Sequence, residues 1–280
     1  MKRLTLDDIK PLLPKRLNSS TKYTNGYVFS YSGSNRYPGA AILAAQSAMR
    51  VGAGGVYAYS ENQVLPLIIN QLPEAIILKN DAGDHEIQEI LKKTRSILVG
   101  PGLHPKTFNF DKLKRLLKLS SLPVLIDAEG INVISYVGIE RFIKEIPTEM
   151  RERCLLTPHM GEMKRLIGNV TDKGLIEFAQ VTRTTLYLKG FPGKLISPSG
   201  SLTEYASGSP AATTAGCGDT LSGIFAGYLA QGLNLMDAAK VGIFVSSMAS
   251  DLYAQHYGAH TMLASDVINM LPRVLREIYD

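Results

Sequence analysis

Short apolar segments alternate with amphipathic ones along most of this 280-residue chain. The apolar segments are rich in Val, Ile, Leu and Tyr, which is typical of strands, and the longer segments have a helical pattern. Near-continuous apolar runs such as Val124-Leu125-Ile126 suit a parallel sheet covered on both faces. We therefore predict an α/β fold of three layers, with helices on both faces of a mainly parallel sheet. Its predicted strands are 26–31, 55–59, 75–78, 96–99, 123–127, 154–157 and 185–189.

The pattern changes in the last third of the chain. Two short segments, 194–197 and 202–205, flank a Pro-Ser-Gly-Ser turn and predict an antiparallel hairpin appended to the sheet. After the hairpin, we predict a C-terminal helical run over 220–231, 236–257 and 265–279. No linker-like tract interrupts residues 26–280, which we predict to be a single domain preceded by an N-terminal segment, residues 1–25.

Composition excludes several classes of protein. Apolar residues make up 45% of the chain and charged residues 20%, as in ordinary soluble globular proteins. No apolar run reaches the ~18 residues of a membrane span, and no signal core follows the N-terminus. The net charge of +5 is scattered, so we expect no nucleic-acid partner. We expect a cytoplasmic protein in which Cys154 and Cys217 are free thiols.

Glycines and polar residues follow five of the predicted strands. Ligands of parallel sheets bind outside the carboxyl ends of the strands, so these segments predict a site along one edge of the sheet. The segments are 32–34, 100–102, 127–130, 157–159 and 189–190.

A glycine-rich segment, Ala215-Gly216-Cys217-Gly218, opens the first C-terminal helix. Its glycines permit a sharp turn, and the free N–H groups and dipole of a helix start favour an anion, so we predict a phosphate-binding anion hole. Asp219 would be repelled by that phosphate, and its best use is as a general base for an attacking hydroxyl. An ordinary helix start, in which Asp219 only complements the dipole, is the alternative.

The chain resembles the ADP-dependent NAD(P)H-hydrate dehydratase family, which has a ribokinase-like fold and repairs nicotinamide cofactors damaged by addition of water. The resemblance runs from about Gly26 to Gly232 and rests on an ordered series of motifs. Besides the Asp219 loop they are Gly33-Ser34, Tyr37-Pro38-Gly39-Ala40, Arg50-Val51-Gly52-Ala53-Gly54, Gly100-Pro101-Gly102-Leu103, Asp127-Ala128-Glu129-Gly130-Ile131-Asn132, Thr157-Pro158-His159-Met160-Gly161-Glu162 and Lys189-Gly190.

This resemblance implies dehydration of the S epimer of hydrated NADH or NADPH, with ADP as co-substrate, Mg²⁺ on its phosphates, and AMP and phosphate as products. It also implies a homo-oligomer, a tetramer, whose ribokinase-like catalytic domain is residues 26–280. The implied substrate-binding residues are Ala40, Gly102, His159 and Asp219. The implied nucleotide-binding residues are Lys189, Gly190, Phe191, Pro192, Gly193, Lys194 and Gly218.

The chain departs from the family pattern at three positions. Glu129 replaces a usual Asp, Gly193 replaces a common Thr, and Ser209 stands where an Asn often precedes the proline. The change at Gly193 bears more on adenosine-phosphate binding than on the chemistry.

Several residues also admit purely structural interpretations. His159 could satisfy backbone donors at a helix start instead of binding substrate. Glu162 could help to hold metal-bound water, or it could be a surface carboxylate that complements the helix dipole. Lys189 could pair with phosphate or simply face solvent at a strand end.

Two further features concern packing and reactivity. The small residues between Gly39 and Gly54 would let a helix pack unusually close to its neighbours. Cys217 lies at a helix N-terminus, which could lower the pKa of its thiol, but no His or second Cys near it in the sequence makes it a nucleophile.

Two other functions remain open from the residues. A kinase of the same fold, acting on a vitamin-precursor alcohol, would use the same aspartate. A nucleotide-binding sensor would keep the pocket without turnover.

Overall fold

The computed structural model describes residues 3–206 and 212–280, so Ser209 lies outside the described residues. Within them, the predicted strands are confirmed to within one residue at each end. They are β1 (Tyr27–Tyr31), β2 (Gly55–Ser60), β3 (Ile76–Lys79), β4 (Ser96–Val99), β5 (Val124–Ile126), β6 (Cys154–Leu156), β7 (Thr185–Leu188), β8 (Gly193–Ile196) and β9 (Leu202–Tyr205).

These strands form one sheet in the order β3-β2-β1-β4-β5-β6-β7-β8-β9. Strands β1 to β7 pair in parallel, as their near-continuous apolar composition predicts. Strands β8 and β9 pair antiparallel, with Ile196 opposite Leu202. The predicted hairpin is therefore confirmed as an appendage at the β7 edge.

Helices follow most of the parallel strands. They are α1 (Leu6–Ile9), α2 (Pro38–Arg50), α3 (Leu65–Gln71), α4 (Asp84–Leu91), α5 (Phe110–Leu119), α6 (Glu129–Val137), α7 (Ile139–Glu145), α8 (Thr148–Arg151), α9 (Met160–Ile167), α10 (Asp172–Thr182), α11 (Cys217–Ala230), α12 (Leu235–Tyr257) and α13 (Ala264–Tyr279). In the described ranges, none of these helices has the length and apolar content needed to cross a bilayer.

The C-terminal helical run is confirmed, but its first helix begins earlier than predicted. Helix α11 starts at Cys217, three residues before the predicted start at Thr220. Gly216 occupies the N-cap in the left-handed conformation, with φ of 92°, which glycine adopts readily. Cys217 and Gly218 are consequently helical, and Asp219 is the third residue of the helix.

Alternate strand residues point to the two faces of the sheet. Val28, Leu98 and Leu125 join a hydrophobic cluster with α2, α11, α12 and α13. Their neighbours Phe29 and Val99 join a second cluster, which includes α4, α5, α9 and α10. The predicted three layers are therefore confirmed, with a core on each side of the sheet.

The small residues of α2 allow an unusually close approach to α11. A Cβ built on Gly223 would lie 2.1 Å from the carbonyl oxygen of Ala44, and one built on Gly227 would lie 2.8 Å from that of Ala48. These glycines therefore pack directly on the backbone of α2. The structure confirms the packing role predicted for the small-residue segment.

The N-terminal segment is anchored by apolar side chains. Leu4, Ile9 and Leu13 are buried in the same cluster as α2 and α11. Thr5 and Asp8 form a capping box at the start of α1. The division of the chain at residue 25 stays a prediction.

Candidate active site

The loops at the carboxyl ends of the strands are fastened to one another. The amide of Gly33 donates to the carbonyl of Pro101 at 2.7 Å, which joins the loops after β1 and β4. Gly100 packs against the carbonyl of Asp127 so closely that a Cβ would lie 1.7 Å from it. The amide of Lys189 donates to Pro158 at 2.8 Å. These contacts bring the glycine-rich and polar segments that follow the strands together on one edge of the sheet.

The N-terminus of α11 lies at this edge. No side chain in the described part of the chain caps this helix, so its first turn keeps N–H groups that can donate hydrogen bonds to an anion. The predicted anion-hole segment, Ala215 to Gly218, contains the N-cap and the first two helical residues. Its geometry suits a phosphate, and its role stays a prediction.

Asp219 is half-buried in that first turn. Burial and, next, the negative charge of Asp127 raise its pKa to about 7, against the opposing effect of the Lys189 ammonium. Glu162 adds a smaller repulsion. A carboxyl that titrates near neutral pH can gain and lose a proton under physiological conditions, which is what a general base requires.

Lys189 comes from the end of β7 and is held inside the site. Its Nζ donates to Asp127 Oδ1 at 2.6 Å, and only 17% of its side chain is exposed. A Cβ built on Gly218 would lie 3.4 Å from that Nζ, so the ammonium lies beside the first turn of α11. The alternative of a solvent-facing lysine is therefore wrong.

Asp127 is the buried centre of this cluster, with 1% of its surface exposed. While Oδ1 accepts from Lys189, Oδ2 accepts from the hydroxyl of Ser222 at 2.6 Å. Ser222 was not predicted as a site residue. The available signal was its spacing: it follows Asp219 by three residues and so shares its face of α11.

His159 and Glu162 form a capping box at the start of α9. His159 Nδ1 accepts from the amide of Gly161 at 2.9 Å, and the amide of His159 donates to Glu162 Oε2 at 2.8 Å. Nδ1 is thus occupied by the structural role considered above, and a neutral ring then carries its proton on the exposed Nε2. That nitrogen lies 3.4 Å from Glu162 Oε1, and 56% of the side chain is exposed, so a ligand can also reach it.

Glu162 is 5% exposed, so the alternative of a surface carboxylate is wrong. Burial raises its pKa, and the charge of Asp127 adds to that effect, while Lys189 lowers it. Its carboxylate oxygens are hard ligands of the kind that Mg²⁺ prefers. The described residues contain no group of three or more metal-binding side chains, so a magnesium ion here would rely mainly on phosphates and water.

Ala40, in the first turn of α2, meets Gly102 in the loop after β4. A Cβ on Gly102 would lie 2.5 Å from that of Ala40 and 2.8 Å from the carbonyl of Tyr37, and its φ of 63° also favours glycine. The two predicted substrate contacts therefore form one surface. Their contact with substrate stays a prediction.

A cavity of about 390 Å³ opens beside Lys189 and the start of α11. Five of the residues assigned to the nucleotide or anion hole line it: Lys189, Gly190, Phe191, Cys217 and Gly218. Its other wall, which was not predicted, comes mainly from α12 and α13. This wall includes Ile243, Ser246, Ser247, Ser250 and Val267.

The rest of the predicted nucleotide loop lies elsewhere. Gly193 begins β8, where a Cβ would lie 2.5 Å from the hydroxyl of Tyr187. Lys194 forms ion pairs with Asp172 and with Glu204, the latter at 2.9 Å. Pro192 does not line the described cavity. A nucleotide role for these three residues stays a prediction.

The structure also shows the surroundings of the Cys217 thiol and of Glu129. Burial raises the pKa of the Cys217 thiol, and the charge of Asp219 adds to this, so the lowering effect expected from the helix N-terminus is outweighed. Glu129, a departure from the family pattern, is buried, and Asn132 donates to its Oε2 at 3.0 Å. It orders the start of α6.

A family model described as NAD(P)H-hydrate dehydratase matches residues 31–273 of this chain. The chain belongs to that family. The resemblance expected from the ordered motifs is thereby confirmed.

Named members of the NAD(P)H-hydrate dehydratase family align over nearly all of the chain. The ADP-dependent (S)-NAD(P)H-hydrate dehydratase of Bacillus subtilis is 31% identical over 280 residues, covering 96% of both chains. The bifunctional NAD(P)H-hydrate repair enzyme Nnr of Coxiella burnetii is 32% identical over 272 residues, covering 95% of this chain and 53% of that protein. The chain thus spans about half the length of the bifunctional relatives.

A crystal structure of the family supports the fold. The ADP/ATP-dependent NAD(P)H-hydrate dehydratase of Bacillus subtilis, co-crystallised with ATP and Mg²⁺, superposes with a TM-score of 0.79 at 26% identity. The match covers 98% of this chain and 97% of that one. The ribokinase-like architecture implied by the motifs is confirmed.

Proposed function

We propose that this protein dehydrates the S epimer of hydrated NADH and NADPH, using ADP and releasing AMP and phosphate. One observation carries the proposal: Asp219, with a pKa raised to about 7, lies in the first turn of an uncapped helix beside the Lys189 ammonium and a cavity. Such a group can deprotonate an alcohol next to a bound phosphate. The name of the Bacillus subtilis relative supports the same substrate, epimer and co-substrate.

The first step is phosphoryl transfer to the hydroxyl of the hydrated ring. Asp219 accepts the hydroxyl proton as the oxygen attacks the terminal phosphorus of ADP, and the bond from that phosphorus to the AMP oxygen breaks. The N–H groups at the start of α11 and the Lys189 ammonium stabilise the negative charge on the transferring group. His159, through Nε2, and the surface of Ala40 and Gly102 would hold the ring in place.

The second step expels the phosphate. The hydroxyl of the hydrate is on a carbon bonded to the ring nitrogen, so the nitrogen lone pair can break the carbon–oxygen bond once phosphate is the leaving group. Loss of a proton from the adjacent carbon then restores the ring double bond of NAD(P)H. Phosphorylation is needed because hydroxide is a poor leaving group at neutral pH.

Magnesium fits this site through its donor chemistry. When bound, Mg²⁺ neutralises and orients the phosphates of the nucleotide. Glu162 is the residue that would hold it, directly or through water: Oε2 accepts the amide of His159, and Oε1 lies 3.4 Å from His159 Nε2.

The decisive experiment is recovery of NADH absorbance from hydrated NADH with ADP, ATP or no nucleotide. The proposal requires ADP-dependent recovery with stoichiometric release of phosphate. A phosphorylated product released intact would indicate the kinase alternative. Tight ADP binding without phosphate release from any hydrated cofactor would indicate the sensor alternative.

The role of Asp219 is tested by Asp219→Asn. This variant should keep nucleotide binding but lose ADP-driven turnover by about 10³-fold, since a positioned general base contributes about 10²- to 10⁴-fold. Full activity in the variant would refute the assignment.

The setting of the enzyme belongs to the same proposal. We infer that residues 26–280 act as the catalytic domain of a cytoplasmic homotetramer. Light scattering of the purified chain measures its mass in solution, and a monomer would contradict this assembly.

A further inference from the structure

Three buried polar groups from three elements form a continuous chain that leads to the phosphate-binding turn. The Ser222 hydroxyl on α11 donates to Asp127 Oδ2 after β5, and Asp127 Oδ1 accepts from Lys189 Nζ after β7, each at 2.6 Å. Ser222 is wholly buried and Asp127 almost so. Neither residue has access to solvent, so of the three groups only Lys189 can contact a ligand directly.

Lys189 needs such an anchor. A lysine has a flexible four-carbon stem and presents a point charge, so without a partner its ammonium would occupy several positions. Asp127 fixes it beside Gly218, at the helix end that lacks a side-chain cap. A charge held in place before the nucleotide arrives loses less freedom when it meets the phosphate.

Ser222 completes the arrangement from the other side of Asp127. A buried carboxylate needs hydrogen-bond partners for both oxygens. When Lys189 turns toward a phosphate, the serine hydroxyl still stabilises the charge on Asp127. Without that hydroxyl, Asp127 would depend on Lys189 alone and would compete with the phosphate for the ammonium.

We propose that Ser222 and Asp127 are positioning residues that hold the Lys189 ammonium ready for the terminal phosphate of a nucleoside diphosphate. This inference rests on the proposed ADP-dependent reaction. It predicts that the chain distinguishes ADP, which has that phosphate, from AMP, which lacks it.

The first test compares ADP and AMP affinity by titration calorimetry in Ser222→Ala, Ser222→Cys and Lys189→Met. We expect the ratio of ADP to AMP affinity to fall about tenfold in Lys189→Met and about threefold in Ser222→Ala. Ser222→Cys, with a weaker donor, should lie between Ser222→Ala and the wild type.

Ser96→Ala is the matched control. Ser96 is also fully buried, and its hydroxyl donates to α11, to the carbonyl of Ala226 at 2.8 Å, but it lies at the opposite edge of the sheet. The ratio of ADP to AMP affinity in Ser96→Ala should equal that of the wild type. Equal losses of ADP and AMP binding in Ser222→Ala, or an unchanged ratio, would overturn the proposal.

The second test measures the pH dependence of turnover, which responds to the charges of Asp127 and Lys189. The groups that face Asp219 are Asp127, Lys189, Glu162 and the Cys217 thiol. Asp219 must be ionised to accept a proton, so activity rises with pH through its pKa. Removing the ammonium in Lys189→Met should move this acid limb to higher pH. Removing the negative charge in Asp127→Asn should move it to lower pH.

These two shifts report how the charges of Lys189 and Asp127 act on Asp219, whereas the ratio of ADP to AMP affinity reports positioning; a merely structural role would change neither. The two tests also separate this inference from the proposed function. If the wild type showed no ADP-driven turnover, the function would fail, while the affinity ratio would still decide the role of Ser222. Acid limbs that coincide with the wild type in both variants would contradict the effect of the Lys189 and Asp127 charges on Asp219, even in an active enzyme.

Discussion

The two halves of helix α11 have opposite surroundings. The first turn, from Cys217 to Asp219, is half-exposed, uncapped by any described side chain, and contains a carboxyl in an unfavourable environment. The second half, from Gly223 to Ala230, is buried at every position against α2 and the sheet. The same helix therefore combines a site that opposes folding with a segment that strongly favours it.

This difference shows how the carboxyl is kept in place. A group whose ionised form is desolvated pushes its segment toward solvent or toward local unfolding. The buried half prevents this because its glycines pack directly on the backbone of α2, leaving no room for the helix to shift. Predictions that disturb one half and spare the other test this division.

The first prediction concerns the packed half. In Gly223→Ala the new Cβ would lie 2.0 Å from Ser47 Oγ and 2.1 Å from the carbonyl of Ala44, and the carbonyl cannot rotate away. We expect a loss of about 3 kcal/mol or more in the free energy of unfolding, measured by urea denaturation.

Gly39→Ala is the matched control for that loss. Gly39 lies in α2, and a Cβ built there would meet no atom within 4 Å. Its free energy of unfolding should stay within about 1 kcal/mol of the wild type. If Gly223→Ala and Gly39→Ala lowered the free energy of unfolding equally, the close contact of α11 with α2 would not determine stability.

The division within α11 was only partly predictable from sequence. Apolar runs locate the strands because burial on both faces leaves little room for polar residues, and the glycines before Asp219 signal an anion site. The link between Ser222 and Asp127 is different. These residues are 95 positions apart, and only the packing of α11 on the sheet brings them together.

The pKa values and the rear wall of the cavity were also beyond sequence reasoning. The helix N-terminus at Cys217 predicted a lowered thiol pKa, but desolvation depends on how tightly neighbouring elements close over a group. Ile243 and Ser246 line the cavity from α12, yet in the sequence they stand in a segment that predicts only a helix. Their contribution follows from where α12 docks.

The second prediction concerns the first turn of α11, which contains Asp219, and uses the free energy of unfolding as a function of pH. The pKa of Asp219 rises from an ordinary 3.8 to about 7 on folding, so the unfolded chain releases this proton first as pH rises. The wild type therefore loses stability between about pH 4 and pH 7 through this group. Asp219→Asn should be more stable by about 4 kcal/mol at pH 8 and equal to the wild type near pH 4.

The control for this pH effect is Asp81→Asn, at an exposed turn. Thermal unfolding at both pH values should leave that variant within about 0.5 kcal/mol of the wild type. If Asp219→Asn showed no gain at pH 8, or a gain as large at pH 4, burial of the carboxylate would not be what opposes folding in this half of the helix.

The smallest expected effect connects the carboxyl to the thiol two residues before it. Asp219 raises the pKa of Cys217 through its negative charge, so Asp219→Asn should increase the thiolate fraction and speed alkylation by iodoacetamide about twofold at pH 8. The fully buried Cys154, whose pKa burial raises to about 12, is the internal control and should stay unlabelled in both proteins. Because Cys217 lines the cavity, ADP should slow its labelling in the wild type. Labelling of Cys217 that is slower in Asp219→Asn would mean that the variant closes the first turn instead of relieving its charge, and the contrast between the two halves would then be one of packing alone.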